Sequence, residues 1–381
     1  MMNFIGGTQL ASTRPAENSF KYSQHCSEAQ GVEQSRNFRI VVIGVGKKGN
    51  NTLNKLMEAD VPSVKCIAVN TNAAHLRSSR ANEKILIGQE LTKGRGVHRD
   101  PRLGKAAMLE SRQLVADLLS GIDVAFITAG LGGGTGAGAA PVIAEIAKSK
   151  GAATVGILTM PFSNEKGRDK HAATSLSEMR KHCDTVVVID DNRLTQLAPG
   201  VPVRETFKIA DQVLASLIKG VVETISTPSL MNLDFTDFKK MVSCGGMAVV
   251  GVGESDSPNR AEEALRNALK TPLLDVDCAG ATGALINVTG DNRMTIQEVN
   301  RIGEIVTEMM HGDAHILCGA RVNPGQDGKL KVTVVMTGVG SPHRLTNLDT
   351  VAPQLFNLDP YNEPESRLDI ELNLYQMDTD S

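Results

Sequence analysis

The chain has 381 residues, more than one ordinary hydrophobic core organises, so two domains flanked by tails are expected. Hydrophobic residues make up 41% and charged residues 22%, the balance of a water-soluble globular protein, and a net charge of −3 carries no electrostatic footprint for nucleic acid. The apolar runs are strand-sized and the first 35 residues lack the apolar stretch of a secretion signal, so the reading is a cytoplasmic protein without direct membrane insertion.

Residues 1–36, rich in Ser, Gln and Gly, read as a disordered arm. A strand is expected over 38–44, followed by a glycine-containing loop and a helix near 51–59. Further strand-like runs fall at 64–69, 84–87, 123–128, 153–159 and 185–189, with helical patterns at 101–120, 135–150 and 168–182. Short apolar strands alternating with helices predict a mainly parallel, Rossmann-like sheet covered on both faces over 37–202. Residues 203–226 break the rhythm. Phe207, Ala210, Leu214, Leu217, Ile218, Val221 and Ile225 recur at spacings of three and four, and Thr227-Pro228 ends the pattern, as expected for a long central helix.

A smaller α+β domain is expected over 227–340. Its strands lie at 247–252 and 283–289, its helices at 259–270 and 295–310, and its closing strands at 314–321 and 329–337. Asn323-Pro324-Gly325 between the closing pair reads as a hairpin connection. The fold class is therefore α/β. In the acidic tail, 341–381, Leu368, Ile370, Leu372 and Leu374 alternate with Asp369, Glu371 and Asn373, the period of a strand able to add to a sheet edge. Six scattered cysteines (Cys26, Cys66, Cys183, Cys244, Cys278 and Cys318) form no C-x-x-C pair. They read as small buried hydrophobes, and no protein-held metal is expected.

Two glycine-rich loops sit between a strand and a helix. Gly44-Val45-Gly46-Lys47-Lys48-Gly49 satisfies G-x-G-x-x-G, a turn that lets backbone N–H groups approach phosphate at a helix N-terminus. A nicotinamide-dependent oxidoreductase would place an acid after the second strand, where this chain has Asn70-Thr71-Asn72. The second loop, from Gly130 to Gly138, has six glycines in nine residues and opens directly into a helical pattern. It would expose several consecutive N–H donors. No G-x-x-x-x-G-K-[ST] motif occurs, so two phosphate-type loops are present without a P-loop.

The segment from Gly132 to Gly138, GGGTGAG, resembles the tubulin/FtsZ signature GGGTG[TS]G. Asn70-Thr71-Asn72 resembles that family's ribose-side segment, Met160-Pro161-Phe162 with Glu165 its P-F-x-x-E loop, and Asn232-Leu233-Asp234-Phe235-Thr236-Asp237 its N-x-D-[FY]-x-D loop. The order is that of the family from about Phe38 to Gly338, and Gly49-Asn50-Asn51 is similar to archaeal members.

The resemblance implies an N-terminal GTPase domain that takes GTP or GDP, with Mg2+ held through the nucleotide phosphates. Gly46, Lys47, Lys48, Gly49, Asn50 and Asn51, with Gly133, Gly134, Thr135 and Gly136, are implied around the phosphates. Glu165 and Arg168 are implied at the ribose and Asp211 at guanine N1–H and N2–H2. Asp234 and Asp237, with Asn232, are implied to complete the site of the next subunit and to position the attacking water. The implied partner is the chain itself, in head-to-tail filaments of a cell-division cytoskeleton, with a membrane adaptor or division partner on the C-terminal tail. Lys47 and Lys48 stand where relatives usually have small residues, and the loop 92–101, TKGRGVHRDP, is bulkier than its counterparts. Asn72 and Asp191 stand where Asp and Asn are commoner, and Ala137 lacks the usual hydroxyl. A non-hydrolysing, nucleotide-bound filament or scaffold of the same fold is the alternative, and a nicotinamide enzyme the remote one.

Overall fold

In the computed structural model, residues 38–59, 61, 64–162, 165, 167–192, 200, 202–226, 235–243, 246–270, 281–310 and 314–339 are described, all in one unit, Asn37–Ser381. The arm 1–36, the tail strand at 368–374, and Asn232 and Asp234 lie outside these residues. Strands β1 (Ile40–Val45), β2 (Val64–Asn70), β3 (Glu83–Leu86), β4 (Val124–Gly130), β5 (Ala153–Met160) and β6 (Thr185–Asp190) pair in parallel in the order β3-β2-β1-β4-β5-β6. Between them run helices α1 (Gly46–Glu58), α2 (Ala73–Arg77), α3 (Gln89–Thr92), α4 (Pro101–Glu110), α5 (Arg112–Leu118), α6 (Gly134–Ser149) and α7 (Arg168–His182). The helix expected over 101–120 is interrupted at Ser111, whose side chain accepts from Gly88 N at 3.4 Å.

The long helix α8 (Val203–Ser226) and the short α9 (Phe235–Ser243) precede β7 (Gly246–Ser255), α10 (Arg260–Lys270), β8 (Gly283–Gly290), α11 (Ile296–Met309), β9 (His315–Val322) and β10 (Leu330–Val339). β7 joins β6 in parallel through Thr185↔Gly246, Val186↔Met247 and Val187↔Ala248, so the sheet runs on as ten strands, ending β6-β7-β10-β8-β9. The hairpin expected between the last two strands does not form. β9 pairs in parallel with β8, while β10 inserts antiparallel between β7 and β8. Asn323 is a local turn signal, its side chain accepting from Gly325 N at 3.2 Å, but its own N–H donates to Gly290 O at 2.7 Å and carries the chain past the end of β8.

Strand alternation sorts the core into two faces. Val41, Ile43 and Val45 share a buried layer with residues of α4 to α7, and that layer continues along the sheet to α10 and α11. Ile40 and Val42 face the opposite layer, with Leu53 and Leu56 of α1, Leu214, Leu217, Ile218 and Val222 of α8, and Phe238 and Met241 of α9. Both faces are dry, which is why the strands read as continuous apolar runs. α8 ties the layer together: Lys219 Nζ donates to Ala59 O at 2.6 Å, Asn287 Nδ2 donates to Gly220 O at 2.9 Å, and Glu223 pairs with Arg321 at 2.5 Å. Cys66 and Cys183 are buried, and burial pushes their thiols up to about 11 and about 12. No helix among the described residues is long and apolar enough to cross a membrane.

Candidate functional site

The carboxyl ends of the parallel strands open into a cleft of about 900 Å³. Crevices at that end of an open parallel sheet are where ligands bind in α/β folds. Three helices start on the cleft, α1 at Gly46, α6 at Gly134 and α7 at Arg168, and none has a side-chain cap on its first N–H groups. Their orphan donors and positive dipole ends therefore face the same space.

One end of the cleft is built from glycine. Gly46 has φ +72°, and a Cβ there would stand 3.1 Å from Gly136 N, so the two glycine loops meet back to back. Thr71 Oγ1 and Thr135 Oγ1 lie 2.7 Å apart. Val97, from the loop 93–100, reaches within 2.9 Å of where a Gly134 Cβ would be. Gly133, which precedes α6, has extended backbone, and a Cβ built on it meets nothing within 4 Å. This is the open cradle that backbone amides offer to a phosphate.

The other end is acidic and aromatic. Asp211, on α8, is 7% exposed, and burial pushes its carboxyl up to about 6, with Lys48 drawing it down and Asp191 adding to the rise. Its nearest hydrogen-bonding neighbour is Thr52 Oγ1, at 3.5 Å. Lys48 Nζ donates to Asp191 Oδ2 at 2.5 Å and lies 5.4 Å from the centre of the Phe207 ring. Phe207 meets Phe162 edge to face, with centroids 5.4 Å apart. Along the third side, Glu165 pairs with Arg168, and Arg168 Cδ lies 3.3 Å from a Cβ built on Gly132.

The cleft thus gathers Gly46, Lys47, Lys48, Asn51, Gly133 to Gly136, Glu165, Arg168 and Asp211. Gly49 and Asn50 lie behind its wall. A Cβ on Gly49 would meet Thr128 O at 2.3 Å, and the buried Asn50 amide donates to Gly44 O at 2.7 Å and accepts from Asn70 Nδ2 at 3.1 Å. Asp237 stands on the first turn of α9, half-exposed beside Lys240 at 3.3 Å, and does not line the cleft. Phe207, Thr159, His75 and Lys208 also line it. Phe207 belongs to the periodic apolar stripe of α8 yet is 37% exposed. Its position one turn before Asp211 is the signal that could have marked it.

Residues 39–199 match the Tubulin/FtsZ family, GTPase domain, and residues 246–340 the FtsZ family, C-terminal domain. The chain is similar to Cell division protein FtsZ 2 of Methanocaldococcus jannaschii, 46% identical over 308 residues that cover 80% of this chain and 81% of that protein. It is similar to Cell division protein FtsZ 1 of Pyrococcus furiosus, 41% identical over 376 residues and 98% of each chain. Among solved structures it is similar to one titled "FtsZ dimer, empty", from M. jannaschii, with TM-score 0.78 and 42% identity over 80% of this chain and 89% of that one. The motifs, the doubly covered parallel sheet and these similarities agree: the chain belongs to the tubulin/FtsZ family, carrying that family's GTPase domain followed by the FtsZ C-terminal domain.

Proposed function

We propose that the cleft binds GTP and GDP with the phosphates against Gly46, Lys47 and Gly133 to Gly136, the ribose at Glu165 and Arg168, and guanine at Asp211. Hydrolysis is completed by Asn232, Asp234 and Asp237 of the next subunit, in head-to-tail filaments that serve division of the cell from its cytoplasmic side. The observation that carries this reading is the polarity of the cleft: uncapped helix starts and an open glycine cradle at one end, a buried carboxylate at the other. A carboxylate accepts from both N1–H and N2–H2 of guanine, and adenine offers no such pair.

The oxygens at the phosphate end include the neutral hydroxyls of Thr71 and Thr135, which suit a divalent cation brought in on the phosphates. Thr71 and Thr135 would help hold Mg2+ carried in on the phosphates, which would supply neutralisation of phosphate charge at this end of the cleft. The work left to the protein is positional. Backbone amides hold the phosphates still, and an incoming carboxylate orients water for in-line attack without needing to be a strong base. Because Asp237 lies on α9 and outside its own cleft, its target in this reading is the cleft of a neighbour. Such a heterologous contact propagates as an open filament, and the acidic tail is left to recruit an adaptor.

Phosphate release measured against protein concentration, with light scattering in parallel, tests the reading. Specific activity should be near zero below an assembly threshold and rise above it. Activity per subunit that does not vary with concentration would exclude a shared site, and filaments without phosphate release would indicate a scaffold that does not hydrolyse.

A further inference from the structure

Lys48 leaves the phosphate loop and crosses the floor of the cleft. A Cβ built on Gly130 would lie 3.1 Å from Lys48 Cβ and 3.2 Å from its Cδ, so the absence of a side chain at Gly130 makes room for the stem. The ammonium ends on Asp191, beside the face of Phe207 and in the electrostatic reach of Asp211. The pair is well enclosed, with side-chain exposures of 21% for Lys48 and 6% for Asp191. Two polar atoms at this spot have no hydrogen bond among the described residues: Asp191 Oδ1, in a residue 4% exposed, and Thr159 Oγ1, in a residue 2% exposed. Both residues line the cleft. Buried polar groups are rarely left unmatched, and those that are point to a ligand or an ordered water.

We propose that Lys48, held in place by Asp191, is a specificity-determining residue that reads the oxygen at position 6 of the bound purine. The proposal rests on the reading that the cleft binds guanine nucleotide. A lysine ammonium carries three N–H donors, and Asp191 takes one. The ammonium stands 5.4 Å from the centre of the Phe207 ring in the cleft that Asp211 also lines, so its remaining donors are available to a base bound there. Guanine meets this corner with complementary edges: O6 and N7 accept from Lys48, while N1–H and N2–H2 donate to Asp211. Adenine keeps N7 but sets a 6-amino donor against the ammonium in place of O6, donor facing donor, and loses the Asp211 contact as well. The chain therefore rejects adenine twice, once by a missing partner and once by a repulsive one. Asp191 is a positioning residue here. Without it the ammonium would be drawn to Asp211 or to the phosphates, and without Lys48 two buried carboxylates would face one base.

The test is competition against a fluorescent mant-GDP probe on the full chain, using GTP, 6-thio-GTP and ATP. Sulfur at position 6 is a poor acceptor, whereas the N1–H and N2–H2 groups read by Asp211 are kept. The unaltered chain should favour GTP over 6-thio-GTP by about tenfold, the scale of one hydrogen bond to a charged group. Lys48→Met should reduce that preference to within about twofold. The double variant Lys48→Met with Asp191→Asn should do the same without leaving a buried unpaired charge, and should retain part of the preference for GTP over ATP through Asp211. A thio discrimination that persists in the double variant, or is absent from the unaltered chain, overturns the proposal. Failure of the unaltered chain to bind GTP at all would overturn the nucleotide reading along with it, so the two failures are told apart in one experiment.

Discussion

Asp211 shows how much a single buried carboxylate can ask of a fold. Its value of about 6 in the folded chain lies above the ordinary 3.8, so its contribution to stability is fully present below pH 3.8 and is lost as pH rises through 6. At neutral pH the ionised group costs the nucleotide-free fold something on the order of 2–3 kcal/mol. Asp211→Asn should therefore raise the melting temperature of the nucleotide-free protein at pH 7 while weakening GTP binding. In the unaltered chain, GTP affinity should fall as pH drops from 7 to 5, because the protonated acid no longer accepts from both guanine donors. The slope should be steeper than in Asp211→Asn by up to about tenfold per pH unit below 6. That difference cancels titration of the nucleotide's own terminal phosphate. Parallel slopes in the two chains would refute the assignment.

At this scale the sequence was legible only in part. Asp211 looks like any helix-surface charge until the resemblance singles it out. The pairing of Lys48 with Asp191 spans 143 positions and has no local signature. Both lysines of the first loop read as phosphate cations, yet the stem of Lys48 turns across Gly130 toward the far end of the cleft.

Among elements, the glycines of the two loops divide into kinds that motif spacing cannot separate. Gly49 and Gly138, like Gly104 of α4, are packing glycines. A Cβ would meet Thr128 O at 2.3 Å, Pro101 O at 2.0 Å and Gly134 O at 2.2 Å respectively, so α1 lies hard against β4 and α4 against α6. Gly133 meets nothing and already has backbone dihedrals that alanine adopts. Gly133→Ala should leave the melting temperature within about 1 °C, since no named destabilising mechanism applies, yet lower GTP affinity at least tenfold by filling the cradle. Gly49→Ala should lower the melting temperature through overpacking before any nucleotide is added. Calorimetry beside nucleotide titration separates the two. Equal thermal loss in both variants would show that the cradle is packing rather than a site. Strand and helix positions in the parallel half followed from periodicity because both faces are buried, whereas the pairing of β10 depended on partners that no local pattern encodes.

For the whole molecule, the cleft and α9 are separate parts of one chain, so the proposed shared site makes catalysis complementable. Gly133→Ala should bind nucleotide poorly while presenting an intact Asp237, and Asp237→Ala should bind nucleotide while presenting a defective partner loop. Mixed at equal concentration above the assembly threshold, the two should release phosphate faster than the sum of either alone. No gain on mixing, in filaments that contain both, would argue that each subunit hydrolyses unaided.

The insertion of β10 between β7 and β8 has a consequence for how the chain is made. During synthesis the parallel half, through β6, emerges first and can close on its own helices. The half that follows stays split, β7 with one bare edge and β8 already beside β9 with another, until residues 330–339 clear the ribosome. Two facing rows of unpaired amides wait on a strand drawn almost from the end of the described chain. For the interval of about 40 residues that separates β8 from β10, at translation rates of about 5–20 residues per second, a second copy's strand can take that place. Polysomes bring such copies close together, so the chain is most open to joining a neighbour side by side while it is still being born.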